Sequence, residues 1–269
     1  MVNQDAYIEL LKRALTRYPL KEEEQGLLRD LEGMDQALIS NIVQCLTPSP
    51  ATAEPPCDLE ARALGRDWPA HAETMIGLRR LENLQNCIVR VLEEDVPGDL
   101  IEAGVWRGGA CIFMRGVLKA FGENQRTVWV ADSFQGLPRP DAARYPADRE
   151  DPHWIFSELA VPLEMVRENF NRYGLLDDQV RFLVGWFRDT LPSAPVSQLA
   201  ILRVDGDMYE STILALRSLY PKVSPGGYVI IDDYGALASC RQAVIDFRNE
   251  FAIQAELLPI DWTGVFWRV

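Results

Sequence analysis

The pattern of apolar and polar positions divides this chain into a helical N-terminal part and an alternating C-terminal part. Residues 1–46 and 73–93 carry apolar side chains at the spacing of one face of an α-helix. The intervening segment TPSPATAEPPCD, residues 47–58, is rich in proline and small residues, which favours a loop that could act as a lid hinge. We therefore predict a helical extension or lid over residues 1–72 and a second domain over residues 73–269.

From residue 98 onward, short apolar runs alternate with amphipathic segments. This alternation predicts an α/β fold with a doubly wound, mostly parallel sheet, and helices at about residues 109–122, 161–174, 209–222 and 236–252. The last run, LPIDWTGVFWRV, is expected to form an antiparallel hairpin that turns near Asp261. Ligands of such sheets bind outside the carboxyl ends of the strands, so the residues at those ends are the candidates for chemistry.

The first predicted strand leads into a glycine-rich loop. In Ile101–Gly109 the glycines stand where the backbone turns tightly and approaches a ligand, although a glycine-rich turn without a ligand is the alternative. The next strand ends at Asp132, where a carboxylate can accept hydrogen bonds from both ribose hydroxyls of a nucleoside cofactor. The two features together favour a nucleoside cofactor.

Two cofactors use this arrangement, a dinucleotide and S-adenosyl-L-methionine. The Gly-x-Gly element that seats a pyrophosphate is absent, and Glu102 and Trp106 crowd the loop. Glu102 suits the cationic centres of S-adenosyl-L-methionine, which carries no phosphate. Trp186 and Phe187 follow the third strand and could form an apolar wall for adenine, although a core position explains Trp186 alone equally well. The sequence therefore favours S-adenosyl-L-methionine.

Acidic residues follow the fourth and fifth predicted strands. Neighbouring strand ends would bring Asp205, Asp232 and Asp233 to one edge of a cleft, where three carboxylates repel one another unless a cation neutralises them. Oxygen ligands without histidine or cysteine point to Mg2+, Ca2+ or Mn2+, and Mg2+ is favoured where waters and substrate complete the shell. Helix capping is the alternative for these aspartates. Capping is the preferred interpretation of Asp207, which precedes a helix starting near Tyr209.

This constellation suits methyl transfer, an in-line displacement that needs an aligned and partly deprotonated acceptor oxygen. Metal coordination lowers the pKa of a hydroxyl, and a ligand carboxylate such as Asp205 can take its proton. We therefore predict that Asp205 is both a metal ligand and the general base, with Asp232 and Asp233 as further ligands. His71 and His153 are the rival bases, and His153 is the better of the two because it lies in a polar insertion.

With these residues in view, the chain resembles the macrocin O-methyltransferase family, whose members methylate deoxysugar hydroxyls of macrolides, aminocoumarins and similar natural products. The resemblance runs from about Glu73 to Arg268. It rests on ETMIG at 73–77, EAGVWRGG at 102–109, DSFQGLP at 132–138, DGDMYEST at 205–212 and GGYVIIDDY at 226–234. It implies a Rossmann-like class I S-adenosylmethionine-dependent methyltransferase fold, a helical N-terminal extension that closes over the site, and a homodimer or larger oligomer.

The resemblance also implies which residues bind the cofactor and the metal. It places S-adenosyl-L-methionine against Thr74, Met75, Glu102, Gly104, Asp132 and Ser133. Neighbouring residues complete the predicted cofactor site: Ala103, Val105, Trp106, Phe134, Gly136, Trp186 and Phe187. The implied ligands of Mg2+ are Asp205, Asp232 and Asp233.

The acceptor, a glycosylated small molecule, is expected to bind where the family resemblance is loose, in residues 1–72 and in the insertion Pro138–Leu159. In the insertion, Tyr145, His153 and Trp154 could stack on a sugar or aglycone. Its acidic residues could receive the sugar hydroxyls: Asp148, Glu150 and Asp151. An exposed polar loop without a ligand is the alternative for each of these residues.

The composition of the chain argues against several classes of ligand. The net charge of −13 argues against a nucleic-acid ligand. No run approaches the roughly twenty apolar residues of a membrane span, and the five scattered cysteines indicate neither a zinc site nor a disulfide framework. We expect a cytoplasmic enzyme that binds neither nucleic acid nor a membrane. Three alternatives stay open: a methyltransferase of catechols or other phenols, a dinucleotide-dependent oxidoreductase, and a nucleoside-binding module without chemistry.

Overall fold

The computed structural model describes residues 2–20, 26, 31, 36–46 and 57–269, so most of the predicted hinge at 47–58 lies outside the described residues. The helices are α1 (Val2–Thr16), α2 (Gln36–Leu46), α3 (Leu59–Ala63), α4 (Gly77–Glu93), α5 (Gly109–Ala120), α6 (Leu163–Arg172), α7 (Phe187–Thr190), α8 (Tyr209–Leu219) and α9 (Ala238–Glu250). The strands are β1 (Asp99–Ala103), β2 (Val128–Asp132), β3 (Val180–Val184), β4 (Leu199–Val204), β5 (Val223–Ile231), β6 (Leu258–Pro259) and β7 (Val265–Arg268).

Within the described part of the chain, the strands form one seven-stranded sheet in the order β3-β2-β1-β4-β5-β7-β6. Strands β1 to β5 pair in parallel, whereas β7 runs antiparallel to both β5 and β6. The predicted parallel sheet and its terminal hairpin are therefore confirmed. The strand order reverses between β1 and β4, and doubly wound sheets form their ligand crevices at such a switch point.

The helices predicted from the sequence correspond to α5, α6, α8 and α9. The helix predicted at 209–222 ends three residues after α8. A 3-10 turn at Tyr220–Lys222 follows the α-helix directly and accounts for this difference. Among the described residues, no helix combines the length and the apolar character that a membrane crossing requires.

Helices cover both faces of the sheet and bury its central strands. Every residue of β4 is buried, as expected for a parallel strand with helices on both sides. On one face, Tyr7 of α1 and Phe113 of α5 belong to one apolar cluster. On the other face, Ile213 of α8 and Phe247 of α9 belong to a second cluster. Helix α1 therefore shares a core with the sheet, and the domain boundary after residue 72 stays a prediction.

The N-terminus of α8 is capped by a residue that is distant in sequence. The Asp148 carboxylate accepts the backbone N–H groups of Tyr209 (2.6 Å) and Glu210 (2.9 Å). The prediction that Asp207 caps this helix is wrong, because Met208 holds the N-cap position and Asp148 supplies the acceptor. Asp148 is fully buried, so the expectation that it receives acceptor hydroxyls is also wrong.

The Asp148→Ala substitution is expected to lower the free energy of unfolding by about 1 to 2 kcal/mol, because two first-turn N–H groups lose their acceptor. Urea unfolding followed by circular dichroism measures this change. Glu150→Ala removes an exposed carboxylate from the same insertion and should change stability by less than about 0.5 kcal/mol. Equal stability of Asp148→Ala and the unaltered protein would contradict the capping role.

Candidate active site

A cleft lies at the carboxyl ends of the central strands, with about 1310 Å³ of empty space, part of it open to solvent. Most of the predicted cofactor and metal residues line it: Thr74, Met75, Glu102, Gly104, Val105, Trp106, Asp132, Ser133, Gly136, Trp186, Phe187, Asp205, Asp232 and Asp233. Two predicted cofactor residues, Ala103 and Phe134, do not line the cleft. Ala103 is fully buried within β1, and the Phe134 ring packs against Phe182 in the core, with 6.3 Å between ring centroids.

The loop between β1 and α5 approaches the end of β4 so closely that only glycine fits. Gly104 has a φ of +90°, and a Cβ atom there would overlap the backbone carbonyl oxygen of Asp205. Trp106 in the same loop also adopts a left-handed conformation, with a φ of +48°. This close approach places the predicted cofactor loop directly beside the predicted metal ligands.

Asp132 presents its carboxylate to the cleft at the end of β2. It accepts the backbone N–H groups of Val105 (2.8 Å) and Phe134 (2.7 Å) and, at 3.4 Å, the hydroxyl of Ser133. The bond from Val105 links the ends of β1 and β2. Burial raises the pKa of this carboxyl, and the two N–H donors oppose that shift. Because a carboxylate has about four lone-pair sites, Asp132 keeps acceptor capacity for a ligand hydroxyl.

The segment that carries Thr74 and Met75 is held by a buried ion cluster at Glu73. The Glu73 carboxylate pairs with Arg17 of the N-terminal part (2.6 Å) and with Arg172 of α6 (2.8 Å). It also accepts a hydrogen bond from the Tyr173 hydroxyl (2.7 Å). Glu73 belongs to the ETMIG motif, but nothing in the sequence around Arg17 or Arg172 indicates that these arginines pair with Glu73. The cluster fixes the segment with the predicted cofactor residues Thr74 and Met75 between the end of α1 and α6.

The structure brings Asp205, Asp232 and Asp233 together at the ends of β4 and β5. Each offers one carboxylate oxygen, and these three atoms lie within 4.8 Å of one another. Backbone bonds align the two strand ends, since the Asp232 N–H donates to the carbonyl of Val204 (3.0 Å). The prediction that parallel strand ends would gather these carboxylates is confirmed.

Two buried arginines pair with this cluster, and sequence reasoning missed both. Arg203 forms ion pairs with Glu102, Asp232 and Asp205, the last at 2.7 Å. Arg80 of α4 pairs with Asp232 and, at 3.1 Å, with Asp261 in the terminal hairpin. A signal for Arg203 does exist in the sequence. A charged residue inside an apolar run that is buried on both faces requires a partner of opposite charge.

Arg203 also changes the interpretation of Glu102. One oxygen of Glu102 pairs with Arg203, and the other accepts the thiol of Cys111 (3.0 Å). Glu102 lines the cleft but is almost completely buried. Its direct contact with the cationic groups of the cofactor therefore stays a prediction, whereas its link to the aspartate cluster through Arg203 is a feature of the fold.

Burial and mutual repulsion raise the pKa values of the clustered carboxyls. Burial, reinforced by Asp205, raises the pKa of Glu102 to about 7, although Arg203 opposes the shift. Burial and the charge of Asp205 raise the pKa of Asp207 to about 7, and burial with the neighbouring aspartates raises the pKa of Asp233 well above its ordinary value. The carboxyls outnumber the nearby guanidinium groups, so the site suits an added cation.

The three residues predicted to stack on the acceptor do not line the cleft. Tyr145 is buried and packs against Tyr209, with 6.0 Å between ring centroids. His153 is half-buried and its Nδ1 lies 2.8 Å from an Asp151 carboxylate oxygen. Trp154 is exposed, and the Arg139 guanidinium lies over its ring at 5.4 Å. The insertion thus presents Trp154 to solvent and keeps Tyr145 inside.

The sheet order, the cleft at the switch point and the strand-end carboxylates define a class I methyltransferase. The solved structure of the O-methyltransferase NovP has the same fold, with a TM-score of 0.83, 47% sequence identity and coverage of 98% of each chain. The family model described as Macrocin-O-methyltransferase (TylF) matches residues 4–269. The chain is an O-methyltransferase, and it belongs to the macrocin O-methyltransferase family.

Curated relatives agree with this assignment. The chain is 53% identical over 266 residues to the 8-demethyl-8-(2,3-dimethoxy-alpha-L-rhamnosyl)-tetracenomycin-C 4'-O-methyltransferase of Streptomyces olivaceus, covering 98% of this chain and 93% of the relative. It is 58% identical over 210 residues to the demethyldecarbamoylnovobiocin O-methyltransferase of Streptomyces niveus, covering 78% of this chain and 80% of the relative. The family match begins at residue 4, so it includes the N-terminal helices that the sequence resemblance covered only loosely.

Proposed function

We propose that this protein is an S-adenosyl-L-methionine- and Mg2+-dependent O-methyltransferase that methylates a sugar hydroxyl of a glycosylated, antibiotic-type natural product. The observation that carries the proposal is the convergence of Asp205, Asp232 and Asp233 in the same cleft as Asp132 and the glycine-rich loop. A nucleoside subsite beside a cation subsite is the arrangement that metal-assisted methyl transfer requires.

The strand ends on one side of the cleft suit the cofactor. Asp132 keeps acceptor capacity for a ribose hydroxyl, and Thr74 and Met75 line the cleft on the segment that Glu73 holds in place. S-adenosyl-L-methionine supplies an electrophilic methyl group on a sulfonium. The protein's contribution is to hold that group in line with the acceptor oxygen, which removes much of the entropic cost of the reaction.

The cation subsite fits Mg2+ by its chemistry. Its donors are carboxylate oxygens. The pKa values of the clustered carboxyls are raised, and a bound divalent cation would lower them again. Arg80 and Arg203 pair with the two oxygens of Asp232, and each oxygen keeps a second lone pair. A bound Mg2+ would act as a Lewis acid that stabilises negative charge on the acceptor oxygen.

Asp205 is the residue best suited to take the proton of the acceptor hydroxyl. Arg203 donates to its Oδ2 atom at 2.7 Å, which orients the carboxylate, and among the described residues Oδ1 has no hydrogen-bond partner. Burial and the charge of Asp232 raise the pKa of Asp205, which strengthens it as a base. Asp205 holds the proton that the hydroxyl loses, while the methyl group passes from sulfur to oxygen.

The acceptor class follows from the relatives and from the surface around the cleft. One curated relative is named for a substrate that carries a rhamnosyl group. Trp262 lines the cleft and is exposed, so it offers an aromatic face to an aglycone. A sugar hydroxyl at Asp205 and an apolar aglycone at Trp262 together account for a glycosylated acceptor. Tyr145 has no part in this proposal.

Incubation with labelled S-adenosyl-L-methionine, Mg2+ and a panel of glycosylated antibiotics, followed by mass spectrometry, tests the proposal. We expect one acceptor to gain a single methyl group on its sugar. EDTA should lower the rate at least about a hundredfold, and excess Mg2+ should restore it. Methylation of a catechol but of no glycoside would favour the phenol alternative, and EDTA-resistant turnover would overturn the metal assignment. The homo-oligomeric state and the cytoplasmic location stay predictions.

A further inference from the structure

The last turn of α1 contacts the segment that carries Thr74 and Met75. A helix leaves its last four carbonyl groups without partners inside the helix, and this segment satisfies the carbonyl of Leu15. The backbone N–H groups of Glu73 (3.0 Å) and Thr74 (3.2 Å) both donate to it. Thr74 and Met75 line the cleft, whereas none of the described residues of α1 does. Helix α1 therefore supports this wall of the cleft without facing its interior.

Arg17 adds a side-chain link to these backbone bonds. It directly follows α1 and has a left-handed backbone, with a φ of +52°, at a position where helices commonly place glycine. Its side chain is 9% exposed, and its guanidinium bonds the Glu73 carboxylate (2.6 Å) and the carbonyl of Cys45 in α2. A left-handed residue other than glycine costs about 1 to 2 kcal/mol, and these two bonds offset that cost. One guanidinium thus joins α1, α2 and Glu73.

The same segment also packs against the glycine-rich loop and the start of α5. The Glu73 carbonyl accepts the N–H of Gly109 (3.1 Å), and a Cβ atom on Gly109 would lie 2.6 Å from the Cβ of Thr74. Arg107 of the loop donates to the carbonyl of Ala72 (2.9 Å). The segment is clamped between α1 and the loop, so loosening α1 would also loosen a wall of the predicted cofactor subsite.

We propose that Arg17 is a positioning residue for the cofactor, and that by holding Glu73 it couples the docking of α1 to the binding of S-adenosyl-L-methionine. Resting on the proposed function, in which Thr74 and Met75 contact the cofactor, this coupling is reciprocal. A docked α1 raises the affinity for the cofactor, and a bound cofactor stabilises the docked α1 by the same factor. Arg17 acts through Glu73 and touches no reactant.

Calorimetry with S-adenosylhomocysteine as the probe tests this coupling. Arg17→Met keeps an unbranched side chain but removes the guanidinium, and we expect it to bind the probe about five- to fiftyfold more weakly. Arg172 and Tyr173 still bond the Glu73 carboxylate in this variant, so the segment is loosened and not released. Arg17→Lys restores a charge that can pair with Glu73, and it should recover most of the lost affinity.

Hydrogen exchange followed by mass spectrometry measures the reciprocal effect. Saturating S-adenosylhomocysteine should slow the exchange of α1 amides in the unaltered protein by about fivefold or more. The exchange of α9, which packs on the other face of the sheet, should slow by less. In Arg17→Met the additional protection of α1 should be lost. The matched control is Arg90→Met, which removes an exposed ion pair with Glu94 and should change the affinity by less than about twofold.

A purely structural role for Arg17 would lower the melting temperature of Arg17→Met without weakening the binding of S-adenosylhomocysteine, and that result would overturn the coupling. Circular dichroism checks that each variant folds. If Arg17→Met does not fold, the exchange experiment on the unaltered protein decides, because equal protection of α1 and α9 by the ligand would also overturn the coupling. Absence of S-adenosylhomocysteine binding to the unaltered protein would instead refute the proposed cofactor.

Discussion

The Asp205→Asn variant is expected to lose about a thousandfold or more in kcat, because one change removes both the proposed general base and a proposed charged ligand of the metal. Asparagine keeps the shape of the side chain and an oxygen that can accept from Arg203, so the buried ion network retains most of its geometry. S-adenosylhomocysteine binding should change little, since the ribose is assigned to Asp132 on a different strand. Single-turnover assays with labelled cofactor, together with calorimetry, measure the two quantities separately.

Asp178→Asn is the control for this experiment, because it makes the same chemical change at an exposed position. It should leave both kcat and cofactor binding unaltered. If Asp205→Asn turned over at a near-normal rate in saturating Mg2+, Asp205 would be neither base nor essential ligand. Restoration of turnover by raising the Mg2+ concentration alone would leave Asp205 a ligand but remove its assignment as the base.

The Gly104→Ala variant is expected to lose more than about 4 kcal/mol of unfolding free energy, and it could fail to fold. The added Cβ would overlap the backbone carbonyl oxygen of Asp205 and lie 2.7 Å from its carbonyl carbon. Relief of this overlap requires β1 and β4 to separate at the switch point, where the sheet is buried on both faces. Guanidinium unfolding, or the yield of soluble protein if unfolding cannot be followed, measures the effect.

Gly122→Ala separates the two causes of this instability. Gly122 also has a positive φ, +68°, but a Cβ there would meet nothing within 4 Å. Its substitution therefore carries only the strain of a left-handed alanine, about 1 to 2 kcal/mol. If Gly104→Ala were as stable as Gly122→Ala or more so, the loop between β1 and α5 would not approach the backbone of Asp205 as closely as described.

The gathering of Asp205, Asp232 and Asp233 could be predicted because it depends on a general property of parallel sheets. Each strand of such a sheet delivers the residue after its last apolar position to the same edge. The acidic residues that follow β4 and β5 are adjacent to apolar runs in the sequence, so their meeting required only that the two strands be neighbours. That condition holds here.

The cap of α8 could not be predicted in the same way. Aspartate before a helix is a sound signal for an N-cap, and Asp207 stands where that signal points. The fold instead supplies Asp148, which lies about sixty residues earlier, within the insertion, and is fully buried. Local propensity cannot anticipate an acceptor that a distant segment brings to the same N–H groups. The same long-range packing turned Tyr145 away from the cleft.

The alternation of apolar and polar positions by itself determined the strand and helix succession, the edge of the sheet where the cleft lies and the carboxylates that gather there. These features depend on short-range periodicity and on the geometry common to all parallel sheets. Only the tertiary structure decided which charges are paired, because Arg203, Arg80 and Glu73 find partners across elements that are far apart in the chain.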